Sequence, residues 1–256
     1  MAVKQPLALI HCGLGRAANW RPFLNVIDRP VSPLLVELPG HGLAEDYDTS
    51  RDFADQAVEL ALDEMPSDPI PLIGHSYGAV LALRIAVERP YRVSSLVMVE
   101  PPFFAAVKDR WVYEKLERDM SGFRKKMKAG ELATAAKEFN AIWGDGTPWT
   151  ELSADQRAYM VDRIQLVAAC DTLLVDDRPG LLQPDRLEEL DMPVTFVDGG
   201  ETHPVIPEII STIGDRIPDA EWVTVPGAGH MLPMTHPQRL LEAVADRLFV
   251  EPPKLD

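Results

Sequence analysis

Cysteine is nearly absent. Cys12 and Cys170 are the two in 256 residues, so no disulfide framework follows, and a reducing, cytoplasmic setting is expected. Positive charge is also short: 25 Lys and Arg face 40 Asp and Glu, a net charge of −15. Such a surface repels nucleic acid and anionic lipid, so neither is expected as a partner. No apolar run reaches the length of a membrane span, and no cationic segment backed by an apolar stretch opens the chain. Met1 leads almost directly into the first apolar run, so no targeting segment is expected. The six histidines are scattered, with no H-x-x-x-H pair and no carboxylate cluster, so no metal site is expected. Repeats, low-complexity tracts and linkers are missing as well. What remains is a chain long enough for one large core, or one core with an insertion.

The most informative stretch is Pro69 to Pro90. Ile70 to Ile73 reads as a buried strand, and a helical pattern follows, with Ala79, Leu83, Ala86 and Val87 on one face. Between them lies Gly74-His75-Ser76-Tyr77-Gly78, a G-x-S-x-G pentapeptide in the strand–turn–helix setting that the motif requires. Ser76 must turn sharply off a strand end, and Gly74 and Gly78 let strand and helix approach closely enough. The turn exposes the hydroxyl at a helix N-terminus, where developing negative charge is favoured. A plain glycine-rich turn is the simpler alternative, and the surrounding pattern weighs against it.

Taken in order, Leu7 to Cys12 and Pro33 to Leu38 read as strands, residues 51–65 as an amphipathic helix, and Val93 to Val99 as a fourth strand. From about 105 to 190 the pattern is helical only. Strand signal returns at Met192 to Val197 and Trp222 to Pro226, each followed by a helical stretch, near 205–216 and 237–249. Alternating strands and helices predict an α/β fold: a doubly wound, mostly parallel sheet with a helical insertion after the fourth strand. The expected division is a core of 1–104 and 191–256 with a cap of 105–190.

Four landmarks follow one another along the chain: His11-x-Gly13-x-Gly15, Pro39-Gly-His-Gly42, Gly74-His-Ser-Tyr-Gly78 and Gly227-Ala-Gly-His230. In this order the sequence resembles the α/β-hydrolase family over nearly its whole length. The resemblance implies Ser76 as nucleophile, His230 as general base, an oxyanion hole from the N–H groups of Gly13 and Tyr77, a helical lid, and no cofactor. Two departures stand out. Cys12 takes a place usually held by glycine, which leaves the Gly13 N–H intact, and Cys12 reads best as a buried structural thiol. Only five residues precede Pro6, so the two antiparallel strands that usually open the fold have no sequence, and a six-stranded sheet is expected. His230 also reads from its own neighbours: a Gly-Ala-Gly loop after the last strand can swing an imidazole over the sheet edge.

The third member of a triad must orient the imidazole. The family's usual aspartate position falls on Thr202 or His203, counted from Gly199 or Gly200, and neither is acidic. Glu100, at the end of the strand after the nucleophile helix, is the favoured acid. Its place at the tip of an apolar strand is costly unless the charge is paired. Asp198, Glu201, or no acid at all remain open. His75 should point away from Ser76, His11 should brace the Gly13 loop, and His41 and His236 fall in turns. Leu14, Phe103, Phe104, Trp111, Trp143 and Met231 are candidates for an apolar pocket, although aromatics in a cap are as often its core. Arg124, Lys125, Lys126 and Lys128 read as a solvated helix face.

The expected activity is a serine hydrolase cleaving a carboxylic ester, thioester or lactone of a small molecule with an apolar part. Carbon–carbon bond hydrolysis by the same residues, or ligand binding without catalysis, are the alternatives. Haloalkane dehalogenation is disfavoured because it needs a carboxylate where Ser76 stands.

Overall fold

The computed structural model describes residues 4–249. Six strands, β1 (Gln5–Ile10), β2 (Val31–Val36), β3 (Ile70–His75), β4 (Val93–Val99), β5 (Val194–Gly199) and β6 (Ala220–Val225), form one sheet in the order β2-β1-β3-β4-β5-β6. Every pairing is parallel. Helices α1 (Arg21–Val26), α2 (Phe53–Glu64) and α3 (Tyr77–Glu88) lie in the first half of the chain. Between β4 and β5 come α4 (Trp111–Asp119), α5 (Ser121–Lys128), α6 (Leu132–Trp143), α7 (Ala154–Arg163), α8 (Leu166–Ala169) and α9 (Asp171–Leu174), with no strand. The last are α10 (Val205–Gly214), α11 (Leu232–Thr235) and α12 (Pro237–Leu248).

The two-residue period of the strands divides the core. Ala8, Ile10, Leu72, Leu96, Met98 and Phe196 pack on one face with α2, α3, α10 and the 105–190 segment. Leu7, Leu9, Ile73, Val97, Val99 and Val197 face the other way, onto Phe23 of α1 and Leu240, Val244 and Leu248 of α12. The one-sided pattern expected for α3 is a correction. Of Tyr77 to Ala86 only Arg84 is not buried, because the helix is sandwiched between the sheet and the 105–190 segment.

Register sets the site. Ile10 pairs with Gly74, His75 with Val99, and Val99 with Val197. The residues that leave β1, β3, β4 and β5 therefore emerge at one sheet edge. The direction of winding reverses between β1 and β3, and the crevice at such a switch point is where open α/β sheets hold ligands.

The turn after β3 is as tight as the sequence implies. A Cβ on Gly74 would lie 2.1 Å from the Gly78 carbonyl oxygen, and one on Gly78 would lie 2.5 Å from the carbonyl oxygens of Ile10 and His11. Main chain cannot yield as a flexible side chain can. Gly74→Ala is expected to lower Tm by about 10 °C, an overpacking cost at the upper end of the usual range. Gly214→Ala, whose Cβ would meet Phe196 at an ordinary 3.5 Å, should leave Tm within a degree or two. Calorimetry of both decides it, and equal melting temperatures would refute the steric account.

Candidate active site

Ser76 leaves β3 with φ 55° and ψ −123°, a left-handed conformation that costs a non-glycine residue on the order of 1–3 kcal/mol. Its N–H bonds the Val99 carbonyl at 2.8 Å, and its own carbonyl caps α3 by accepting from Ala79 and Val80. The hydroxyl sits 2.9 Å from His230 Nε2. His230 Nδ1–H donates to Glu100 Oε2 at 3.0 Å. This pattern puts the ring proton on Nδ1 and leaves Nε2 free to accept from Ser76.

Glu100 also has positive φ, 55°, and is fully buried. Its carboxylate is satisfied on both oxygens. Gly199 N–H donates to Oε1 at 2.6 Å, and the Thr202 hydroxyl donates to Oε2. A buried carboxylate with three donors is a tolerable arrangement, where an unpaired one is not. The other two acids named from the sequence lie elsewhere. Asp198 Oδ1 accepts from Trp222 Nε1–H at 2.9 Å, and burial raises its pKa above the usual carboxylate value. Glu201 is exposed, and neither is bonded to His230.

The loop after β1 is held from below. The Cys12 carbonyl accepts from His11 Nδ1–H at 2.8 Å and from Gly15 N–H at 2.9 Å. That peptide carries the Gly13 N–H at its other end, so its plane is fixed by two bonds. His11 Nε2 accepts from Leu38 N–H, and His41 Nε2–H donates to the Gly13 carbonyl. A Cβ on Gly13 would lie 3.8 Å from Tyr77 Cβ, so the two residues named for the oxyanion hole are neighbours. Tyr77 begins α3, where N–H groups have no intrahelical acceptor. Cys12 is buried, and desolvation pushes its thiol up to about 12, which agrees with an inert structural role.

His75 does point away from Ser76. Its Nε2–H donates to the His230 carbonyl at 2.8 Å, tying the loop of the imidazole to β3. Burial pushes its pKa down to about 3, so this brace is neutral at ordinary pH.

A cavity of about 1050 Å³ opens on Ser76 and His230. Leu14, Phe104, Trp143 and Met231 line it, together with Cys12, Gly13 and Tyr77. Phe103 and Trp111 do not, which corrects the sequence reading. Phe103 is fully buried in the core and Trp111 is 61% exposed on the outer face of α4; the sequence carries no sign of which aromatic faces inward. The basic cluster is also only partly a solvated face, since Arg124 and Lys128 reach the cavity and Arg124 pairs with Glu117. Sequence reasoning missed Leu116, Met120, Phe123 and Phe139 on the apolar wall; their helical spacing was the one available signal. Trp143 stands with its ring centroid 4.9 Å from that of His230 and inclined 62° to it, its indole N–H on Met120 Sδ. Among the described residues no group of His, Cys, Asp and Glu is arranged to hold a metal, and no helix is long and apolar enough to cross a membrane.

A six-stranded parallel sheet with a strained serine at the switch point is a specific combination, and the sequence as a whole agrees with it. Residues 7–243 match the model of the alpha/beta hydrolase family, and the chain belongs to that family. It is similar to the pimeloyl-[acyl-carrier protein] methyl ester esterase of Aeromonas hydrophila, 28% identical over 93% of each chain. It is also similar to the mouse sn-1-specific diacylglycerol lipase ABHD11, 26% identical over 84% of this chain and 71% of the relative. Among solved structures, MenH from S. aureus superposes with a TM-score of 0.72 at 17% identity, covering 97% of this chain and 96% of that one; at that identity the likeness concerns the fold alone.

Proposed function

We propose that this α/β-hydrolase cleaves a carboxylic ester, or a close relative such as a thioester or lactone, through an acyl-enzyme on Ser76. The observation that carries the reading is the unbroken chain from Ser76 Oγ to His230 Nε2 (2.9 Å) and from His230 Nδ1 to Glu100 Oε2 (3.0 Å), opening on a largely apolar cavity. His230 takes the hydroxyl proton as Ser76 attacks the carbonyl carbon. Glu100 stabilises the imidazolium that forms and keeps the ring in its productive tautomer. The Gly13 and Tyr77 N–H groups receive the developing oxyanion. His230 then gives its proton to the departing alcohol or thiol, and later activates a water that releases the acid. None of these steps calls for a cofactor. On this reading the 105–190 segment is a cap whose inner wall accepts the apolar part of a small-molecule substrate; the ester chemistry agrees with the Aeromonas relative, which is named a methyl ester esterase.

Two measurements test it. Diethyl p-nitrophenyl phosphate should modify the protein once, and peptide mass analysis should find the adduct on Ser76. Among p-nitrophenyl acetate, butyrate and octanoate, kcat/KM should rise with chain length by about tenfold from first to last, because each added methylene leaves water for an apolar wall. No turnover of any ester, with no label on Ser76, would overturn the proposal.

A further inference from the structure

The cavity is not apolar throughout. Where it meets the loop after β1 its wall includes Arg16, Asn19, Gln156 and Tyr159. The Tyr159 ring is fixed at its hydroxyl, which donates to the Gly15 carbonyl at 2.6 Å and accepts from Gly42 N–H at 3.2 Å. Two guanidinium groups lie against this one ring. Arg163 Cζ is 3.9 Å from its centroid and Arg16 Cζ is 5.4 Å.

In a chain of net charge −15, an arginine on the cavity wall without a counter-charge offers a place for negative charge. Among the described residues neither Arg16 nor Arg163 pairs with a carboxylate, whereas Arg124, the other arginine on the cavity wall, pairs with Glu117. Arg163 does not itself line the cavity; its guanidinium lies over the Tyr159 ring and donates to the Tyr159 carbonyl at 3.4 Å. Its charge is felt as far as His41, whose pKa it helps lower. Asp145 and Asp155 also open on the cavity, from the loop after α6 and the start of α7. Asp171 of α9 and Arg124 and Lys128 of α5 line the cavity as well, so Arg16 is its cation on the loop after β1.

We propose that Arg16, over the Tyr159 ring on the cavity wall, is an anion subsite, and that the substrate carries a carboxylate or similar oxyanion on the part directed toward it. Planar guanidinium donors on a rigid aromatic platform suit a carboxylate, which can accept two parallel N–H bonds. The apolar wall around Leu116, Met120 and Phe123 takes the rest. The inference deepens the esterase reading and rests on it only for which bond is cleaved.

The test compares esters differing only in one charge. Mono-4-nitrophenyl adipate against 4-nitrophenyl hexanoate places it on the acyl side; 5-butanoyloxy-2-nitrobenzoate against 4-nitrophenyl butyrate places it on the leaving side. In one of these pairs the charged ester should be favoured in kcat/KM by about five- to tenfold, the range of a partly exposed ion pair. That ratio should collapse in Arg16→Gln, fall with added salt, and persist in Arg89→Gln, an arginine outside the cavity. Charged esters no better than neutral ones in both pairs, or a preference that survives Arg16→Gln, would overturn the subsite. Binding gives a separate reading that needs no turnover. Monomethyl adipate should raise the Tm of Ser76→Ala more than methyl hexanoate does, and not when Arg16→Gln is added; equal shifts refute the subsite. Absence of ester turnover with this binding difference intact would reject the esterase reading while keeping the anion site.

Discussion

Ser76→Ala is expected to lower kcat for p-nitrophenyl butyrate by about a million-fold, the scale seen when a serine nucleophile is removed from an intact site. The change deletes one oxygen at a buried position and keeps the strained backbone that a small side chain can still adopt. Tm should therefore stay close to that of the parent. The mutant retains His230 and Glu100 at bonding distance, so its residual rate measures what the cavity and the proposed oxyanion donors do without a nucleophile. A decrease of less than a hundredfold would mean that another group attacks the ester.

Glu100→Gln is expected to lower kcat by about ten-thousand-fold, as for removal of the orienting carboxylate in other triads. Both carboxylate oxygens face donors, Gly199 N–H on one side and His230 Nδ1–H with the Thr202 hydroxyl on the other. An amide in this place must turn its NH2 toward one of them. Facing Gly199 it sets two N–H groups against each other; facing His230 it forces the ring proton onto Nε2, where it can no longer accept from Ser76. Asp198→Asn touches only the Trp222 side and should stay within a few-fold of the parent. On the proposed mechanism the three groups act as a unit, so Ser76→Ala/Glu100→Gln should be no slower than Ser76→Ala alone. A Glu100→Gln rate within tenfold of the parent would remove Glu100 from the mechanism.

Much of the fold was legible because the strands are buried on both faces and read as apolar runs. Val93–Val99 is a strand over the very residues expected, and the other strands differ by about two residues at their ends. The parallel, doubly wound sheet follows from the alternation of strands and helices, and the strand-free 105–190 stretch from its purely helical pattern; the count of six comes from the resemblance, with no sequence for the two opening strands. The site residues that the geometry brings together, Ser76, His230 and Glu100, lie at strand ends or in a glycine loop, and local sequence marks such places. The cavity wall was less legible. Helical spacing says that Phe103 and Trp111 are candidates for an inner face, but not that one packs into the core and the other faces water. Tyr159, which joins α7 to the loops after β1 and β2, carries no local signal, since its partners Gly15 and Gly42 are more than a hundred residues away.

From Pro71↔Ser95 onward, strands β3 and β4 pair rung by rung to His75↔Val99, and Ser76 and Glu100 step off the ladder together. The separation of serine from carboxylate is thus a property of the sheet, whereas the imidazole arrives on a loop tethered through its own carbonyl to His75. Wear on such a device is lopsided. Warming can lift the ring out long before it can alter the gap that the ring fills, so activity lost below the melting transition should return on cooling, the imidazole falling back between two posts that never moved.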